Sequence, residues 1–163
     1  MTFRIVFLGI SLFLYGLAQS LLALRFHIIP KGLSGKYIPS GELNAYGKPI
    51  DIVAMRGIEL STCGILGIMF LVIPALAWLA NPAYLISSLC FVRQQYKCAA
   101  VASLMAVLIG FLGTISSFWI RLPNGSSPYT QLVLAEVLSG FWVWLSAPAI
   151  VALASIVRLT QTR

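Results

Sequence analysis

Long apolar runs closed off by charged residues set the pattern of this chain. Four stretches are apolar and long enough to cross a bilayer, whose hydrocarbon core of about 30 Å takes roughly 20 helical residues. They cover about 5–24, 57–80, 98–120 and 129–157. Arg4 and Arg25 flank the first, Arg56 and Asn81-Pro82 the second, Lys97 and Arg121 the third, and Pro128 and Arg158 the fourth. The pattern predicts an all-α, polytopic membrane protein, a single domain over 1–163 in which four transmembrane helices form an antiparallel bundle. Residues 83–92 are apolar but too short to span, and read as an interfacial helix or an extension of the hairpin between the second and third spans.

The polar remainder is one sizeable extramembrane loop of roughly 30 residues, 25–56. Pro30, Gly32, Gly35, Pro39, Gly41, Gly47 and Pro49 give it turn chemistry throughout. Residues 34–43 read as a small hairpin, and Tyr37, Leu43 and Tyr46 supply apolar side chains for an ordered loop. The start of the chain has the basic residue and the small-x-small pattern of a signal peptide, Gly16-Leu17-Ala18. The apolar run continues through Leu24, which favours a retained helix.

Helices in lipid associate by close backbone approach, so small residues mark their contact faces. Ala102, Ala106, Gly110 and Thr114 recur every fourth residue, with Ala99, Ser103, Gly113 and Ser117 alongside. Gly64 and Gly67 play this part in the second span and Gly140 in the fourth. These positions read as packing inside one bundle, with a homo-oligomer interface as the alternative. Pro74 and Pro148 predict kinks. Trp78, Tyr96, Trp119 and Tyr129 fall near the expected membrane boundaries and read as interfacial anchors.

Composition makes lipid the solvent. Hydrophobic residues form 60% of the chain and charged residues 9%, against roughly 25% charged in soluble domains. The formal net charge of +7 sits at the ends of apolar runs, where it meets headgroups. No basic stripe with interleaved aromatics points to nucleic acid. An even number of spans places both termini on one side, with Arg4, Arg93, Lys97, Arg158 and Arg163. Arg25, Lys31, Lys36, Lys48, Arg56 and Arg121 fall on the other, together with all four acids. The first set crowds short flanks, which favours cytoplasmic termini. Small size and short loops point to a bacterial inner membrane.

The acids carry what chemistry the sequence offers. Alternating helix direction brings Arg25, His27, Arg56, Glu59, Arg121 and Glu136 to a similar depth in one leaflet. Glu59 and Glu136 fall just inside spans, where an acid must be paired, hydrated or protonated. The structural reading pairs Glu59 with Arg56 or Arg25, and Glu136 with Arg121, and so fixes helix register. The functional reading makes the two glutamates a proton or cation site in a vestibule, with Gln19, Ser20, Ser61, Thr62 and Ser139 extending the polar network. Cys63, Cys90, Cys98 and a single His27 show no metal-ligand spacing. Cys98 beside Lys97 fits reversible palmitoylation.

No catalytic set is found. Asp51 is the only aspartate, which excludes the dyad of lipoprotein signal peptidases. The first loop lacks the Trp and cysteine pair of claudin-like proteins, and no nucleophile, metalloprotease or phosphate-loop motif occurs. The sequence therefore points to a non-catalytic integral membrane protein acting through protein–protein contacts in the membrane. An accessory subunit of a membrane complex or an immunity-type protein against a membrane-active toxin fits this description. The alternative is a small proton- or cation-coupled transporter or channel using Glu59 and Glu136. No cofactor and no metal is expected. The expected partners are the lipid bilayer and either another membrane protein or a second copy.

Overall fold

The computed structural model describes residues 2–31, 51–69 and 72–161. The hairpin expected at 34–43 lies outside them, as does Glu42. In chain order the elements are α1 (Thr2–Ser20), β1 (Leu22–Pro30), β2 (Ile52–Arg56), α2 (Gly57–Met69), a 3-10 segment (Ile73–Leu79), α3 (Ala80–Val92), α4 (Tyr96–Ser116), β3 (Leu122–Pro123), β4 (Thr130–Val137) and α5 (Ser139–Gln161). Four helical stretches are long and apolar enough to cross a membrane: Phe3–Ser20, Ile73–Val92, Tyr96–Ser116 and Ser139–Gln161.

The second of these is displaced from the expected 57–80. The 13 residues of α2 rise only about 20 Å at roughly 1.5 Å per residue, short of a bilayer. After α2 the chain folds back. The Val72 N–H donates to the Gly67 carbonyl at 3.1 Å. Pro74, which has no N–H to satisfy, opens the 3-10 segment. A Cβ on Gly64 would strike Trp78, and one on Gly67 would strike Ala75, so the segment runs antiparallel beside α2. It then leads directly into α3, and the two together make the spanning unit. Pro74 thus starts a helix instead of kinking one, and 83–92 belongs to a span.

The chain is also not all-α. A four-stranded antiparallel sheet in the order β2-β1-β4-β3 stands at one end of the bundle. The expected first span gives up its last residues to β1, and the expected fourth span, 129–157, gives up its first to β4. Phe26 pairs with Leu134 and with Val53, and Ile28 pairs with Leu132. Side chains alternate across a strand. Leu24, Phe26, Leu132 and Leu134 are therefore buried towards the helices, while Arg25 and His27 stand on the other face, and a register shift between Arg25 and Phe26 brings Glu136 there opposite Arg25.

The helices pack in the order α1–α5–α4–α3. At the end opposite the sheet, Arg4 donates to the Val92 carbonyl at 3.2 Å, and the Arg158 guanidinium lies 4.2 Å over the Phe3 ring. The start of α1 and the last turns of α5 therefore lie at the same end of the bundle as the α3–α4 turn. On α4, Ala99, Ser103, Ala106, Gly110 and Thr114 are buried, with Ala102 half-buried beside them. Gly110 lies against Trp144 and Ala80, and Gly113 against the backbone of Ala77. α3 closes with Gln94 at φ 62°. The Gln94 N–H bonds to Phe91 O and the Gln95 N–H to Cys90 O, the paired bonds of a left-handed helix stop that favours glycine.

Bundle and sheet meet where α1 passes into β1. A Cβ on Gly57 would come within 2.4 Å of the Ala18 carbonyl oxygen, and one on Gly140 within 2.7 Å of the Leu22 oxygen. Replacing Gly140 by Ala is expected to cost about 1–3 kcal/mol, because backbone must move to admit the methyl. Gly125, with open space around it, should tolerate Ala within about 0.5 kcal/mol. Gln94→Gly should raise stability by about 0.5–1 kcal/mol. Thermal unfolding of the three variants in one detergent checks all three values.

Candidate functional site

Of the six residues expected at one depth, the fold joins some and parts others. Arg25 Nη1 donates to Glu136 Oε2 at 2.6 Å across the β1–β4 ladder, and both side chains are about half exposed. Arg121, the partner expected for Glu136, precedes Leu122, which pairs with Leu132. It therefore stands about three strand positions short of Glu136, roughly 10 Å at about 3.3 Å per residue. Glu136 lies in a strand and not a helix, so ladder register chooses its neighbour. His27 shares the outer face with Arg25, two residues along β1.

Glu59 and Arg56 do meet, but not as an ion pair. The Arg56 backbone N–H donates to Glu59 Oε2 at 2.7 Å. Glu59 is the third residue of α2, and this bond is the reciprocal half of a capping box, favoured further by the helix dipole. Neither glutamate lies in a helix of spanning length: Glu59 is in the 13-residue α2 and Glu136 in β4. Ser61 donates to Gln19 Oε1 at 3.0 Å and ties α2 to α1, whereas Thr62 bonds within its own helix.

A polar hub that the sequence reading passed over lies inside the bundle. Asn81 Oδ1 accepts from the Tyr15 hydroxyl at 3.1 Å and from Trp144 Nε1 at 3.0 Å. Indole can only donate, so the amide must present its oxygen there. Tyr15 stacks on Tyr84 with ring centroids 5.0 Å apart. The Tyr84 hydroxyl bonds to Ser11, which donates to the Ala147 carbonyl, both at 2.8 Å. The network links α1, α3 and α5. Asn81-Pro82 reads as a span boundary because both are turn residues. The available signal was Ser11, Tyr15 and Gln19 at four-residue spacing, a polar stripe down an apolar helix.

Between the inner face of the sheet and the sheet-side ends of the spans lies a cavity of about 750 Å³, within the ~300–1,000 Å³ usual for small-molecule sites. Phe26 and Leu132 wall it from the sheet, Leu60 and Trp78 from the α2 hairpin, and Phe141 and Trp144 from α5. Among the described residues no charged side chain lines it. Asn81, Thr114 and Ser117 do line it, at 9%, 6% and 3% exposure. The hydroxyls of Ser87, Ser103, Ser116 and Ser155 each donate to a carbonyl three or four residues back. Those of Thr114 and Ser117 bond to no protein group, and neither does the Asn81 amide nitrogen.

Trp78, expected as a boundary anchor, is a wall of this cavity, and Trp119 is 77% exposed just beyond α4. Among the described residues no three His, Cys, Asp or Glu side chains gather at a metal-binding spacing. Cys63 and Cys98 are exposed and Cys90 is buried, and none is in a disulfide. Compared with protein-family models, with curated proteins and with solved structures, the chain matches none.

The hub and the exposed ion pair should differ in energetic weight. A double-mutant cycle of Asn81→Ala with Trp144→Phe should return a coupling of about 0.6–1.7 kcal/mol, the range for hydrogen bonds between membrane helices. Glu136→Gln should change stability by no more than about 1 kcal/mol, and by less at high salt. Denaturation of the single and double variants in a common detergent measures both.

Proposed function

We propose that this chain is a non-catalytic membrane protein that works by contact with a second membrane protein, and that the sheet makes the contact. The observation that carries this reading is Tyr129, which is 79% exposed at the start of β4. The strand runs from Thr130 to Val137 before α5 begins at Ser139. Tyr129 therefore stands roughly 30 Å along the chain from that helix, at about 3.3 Å per residue. A bare tyrosine on a rigid strand end suits a protein interface, where aromatic residues are enriched and carry much of the binding energy.

The outward surface of the bundle supports the same division of labour. Leu108, Leu112 and Leu153 are large, apolar and more than half exposed, which suits lipid. Gly110 and Gly113 of α4 lie against this chain's own Trp144 and Ala77, whereas Gly9 and Gly16 of α1 are exposed with open space around them. In this reading Arg4, Arg93, Lys97 and Arg158 mark the cytoplasmic side of a bacterial inner membrane, and the sheet faces away from it. An accessory subunit and an immunity-type protein both use such a platform.

The test is native-nanodisc extraction of the tagged full chain from its own membranes, followed by intact mass measurement. A stoichiometric second membrane protein is expected. Tyr129→Ala should weaken its capture about tenfold or more while leaving thermal stability unchanged. A lone monomer or homo-oligomer overturns the proposal, and so does capture that Tyr129→Ala leaves intact.

A further inference from the structure

The cavity beneath the sheet is independent of that reading. Two features define its chemistry. Its wall is apolar and uncharged among the described residues, so a charged group entering it would lose its hydration with no counter-charge in return. Against that wall stand two hydroxyls and one amide nitrogen, on side chains at least nine-tenths buried, with no partner in the protein. Buried polar groups in folded proteins are nearly always paired. These three atoms are not sealed inside protein, so an occupant of the cavity can pair with them.

All three can donate a hydrogen bond. A carbonyl or ester group, which only accepts, answers them better than a hydroxyl that brings a donor of its own. The cavity lies at the sheet-side ends of the spans, flanked by the start of the 3-10 segment, the end of α4 and the start of α5. In a bilayer crossed by these helices, their sheet-side ends would meet the zone where the hydrocarbon core gives way to the polar interface. An ester at Asn81, Thr114 and Ser117 would leave its chain against Phe26, Leu60 and Phe141.

We infer that the cavity binds an uncharged glyceride, with an ester group held by Asn81, Thr114 and Ser117 and an acyl chain on the apolar wall. Water alone would fill the polar corner but leave the rest of the space lined by apolar carbon.

The experiment reconstitutes the full chain in phosphatidylcholine nanodiscs containing a monoacylglycerol whose oleoyl chain carries a diazirine. Irradiation and peptide mapping then locate the label. A parallel preparation carries the same diazirine chain on phosphatidylcholine. The expected result is labelling of cavity-wall residues such as Leu60, Leu132 and Phe141 by the monoacylglycerol probe, saturable and competed by unlabelled monoacylglycerol. Thr114→Val and Ser117→Ala should each weaken that competition about three- to tenfold, the size of one neutral hydrogen bond. Leu60→Trp, which fills the cavity without removing a polar group, should abolish saturable labelling in a protein that still melts normally. Labelling confined to lipid-facing residues such as Leu108 and Leu153 overturns the proposal. Non-saturable labelling, saturable labelling by the phosphatidylcholine probe alone, or unchanged competition in both hydroxyl variants does the same. Tyr129→Ala should leave the labelling untouched, which separates this result from that of the partner assay.

Discussion

A backbone leaving a helix at the membrane boundary must find new hydrogen-bond partners, because lipid offers none. β1 is where this chain meets that demand. α1 ends at Ser20 and the chain continues as a strand, which needs a ladder on each side. β2 supplies one and β4 the other, and each leads directly into a helix. The Gly57 N–H reaches back to the Leu21 carbonyl, and the Leu138 N–H reaches the Ala23 carbonyl. Gly57 and Gly140 allow those helix starts to press against backbone where a Cβ would collide. The sheet is therefore a continuation of the bundle's own hydrogen bonding, held in place by close approach.

The rest of the architecture follows from that seating. With β1 fixed over the end of α1, its inward side chains face the helices and form one apolar cluster with Phe141. The hairpin of α2 and the 3-10 segment closes one side, and the space between becomes the cavity. Its hydroxyls come from the last turn of α4 and the residue after it. Deeper in the bundle the Asn81 hub joins three helices by hydrogen bonds in a low-dielectric setting. It holds the bundle more firmly than the exposed Arg25–Glu136 pair can, since water and salt weaken the latter.

Both proposed contacts lie at the sheet end of the bundle. Tyr129 stands bare beside the start of β4, and the inner face of the sheet walls the apolar cavity. Tyr129 directly precedes β4, and Leu132 of the cavity wall lies three residues further along. A ligand beneath the sheet and a partner beyond it would therefore meet the same rigid element.

Some of this was legible in the residues. Apolar runs of sufficient length required lipid, and they require it whatever conformation they adopt. Four spans, two chain ends together and the small-residue face of α4 all follow from hydropathy and spacing. The Arg56–Glu59 spacing announced a contact, although the partner turned out to be a backbone N–H. The strands were not legible, because hydropathy measures preference for an apolar environment and not backbone conformation. LALRFHIIP and TQLVLAEV are apolar enough to extend the neighbouring helices. Only the ladder between them, formed across more than a hundred residues of sequence, makes them strands. The choice of Arg25 for Glu136, the fold-back before Pro74 and the gathering of Asn81, Thr114 and Ser117 around one space have the same origin. Each depends on which distant backbone lies alongside, and that is decided only when the whole chain packs.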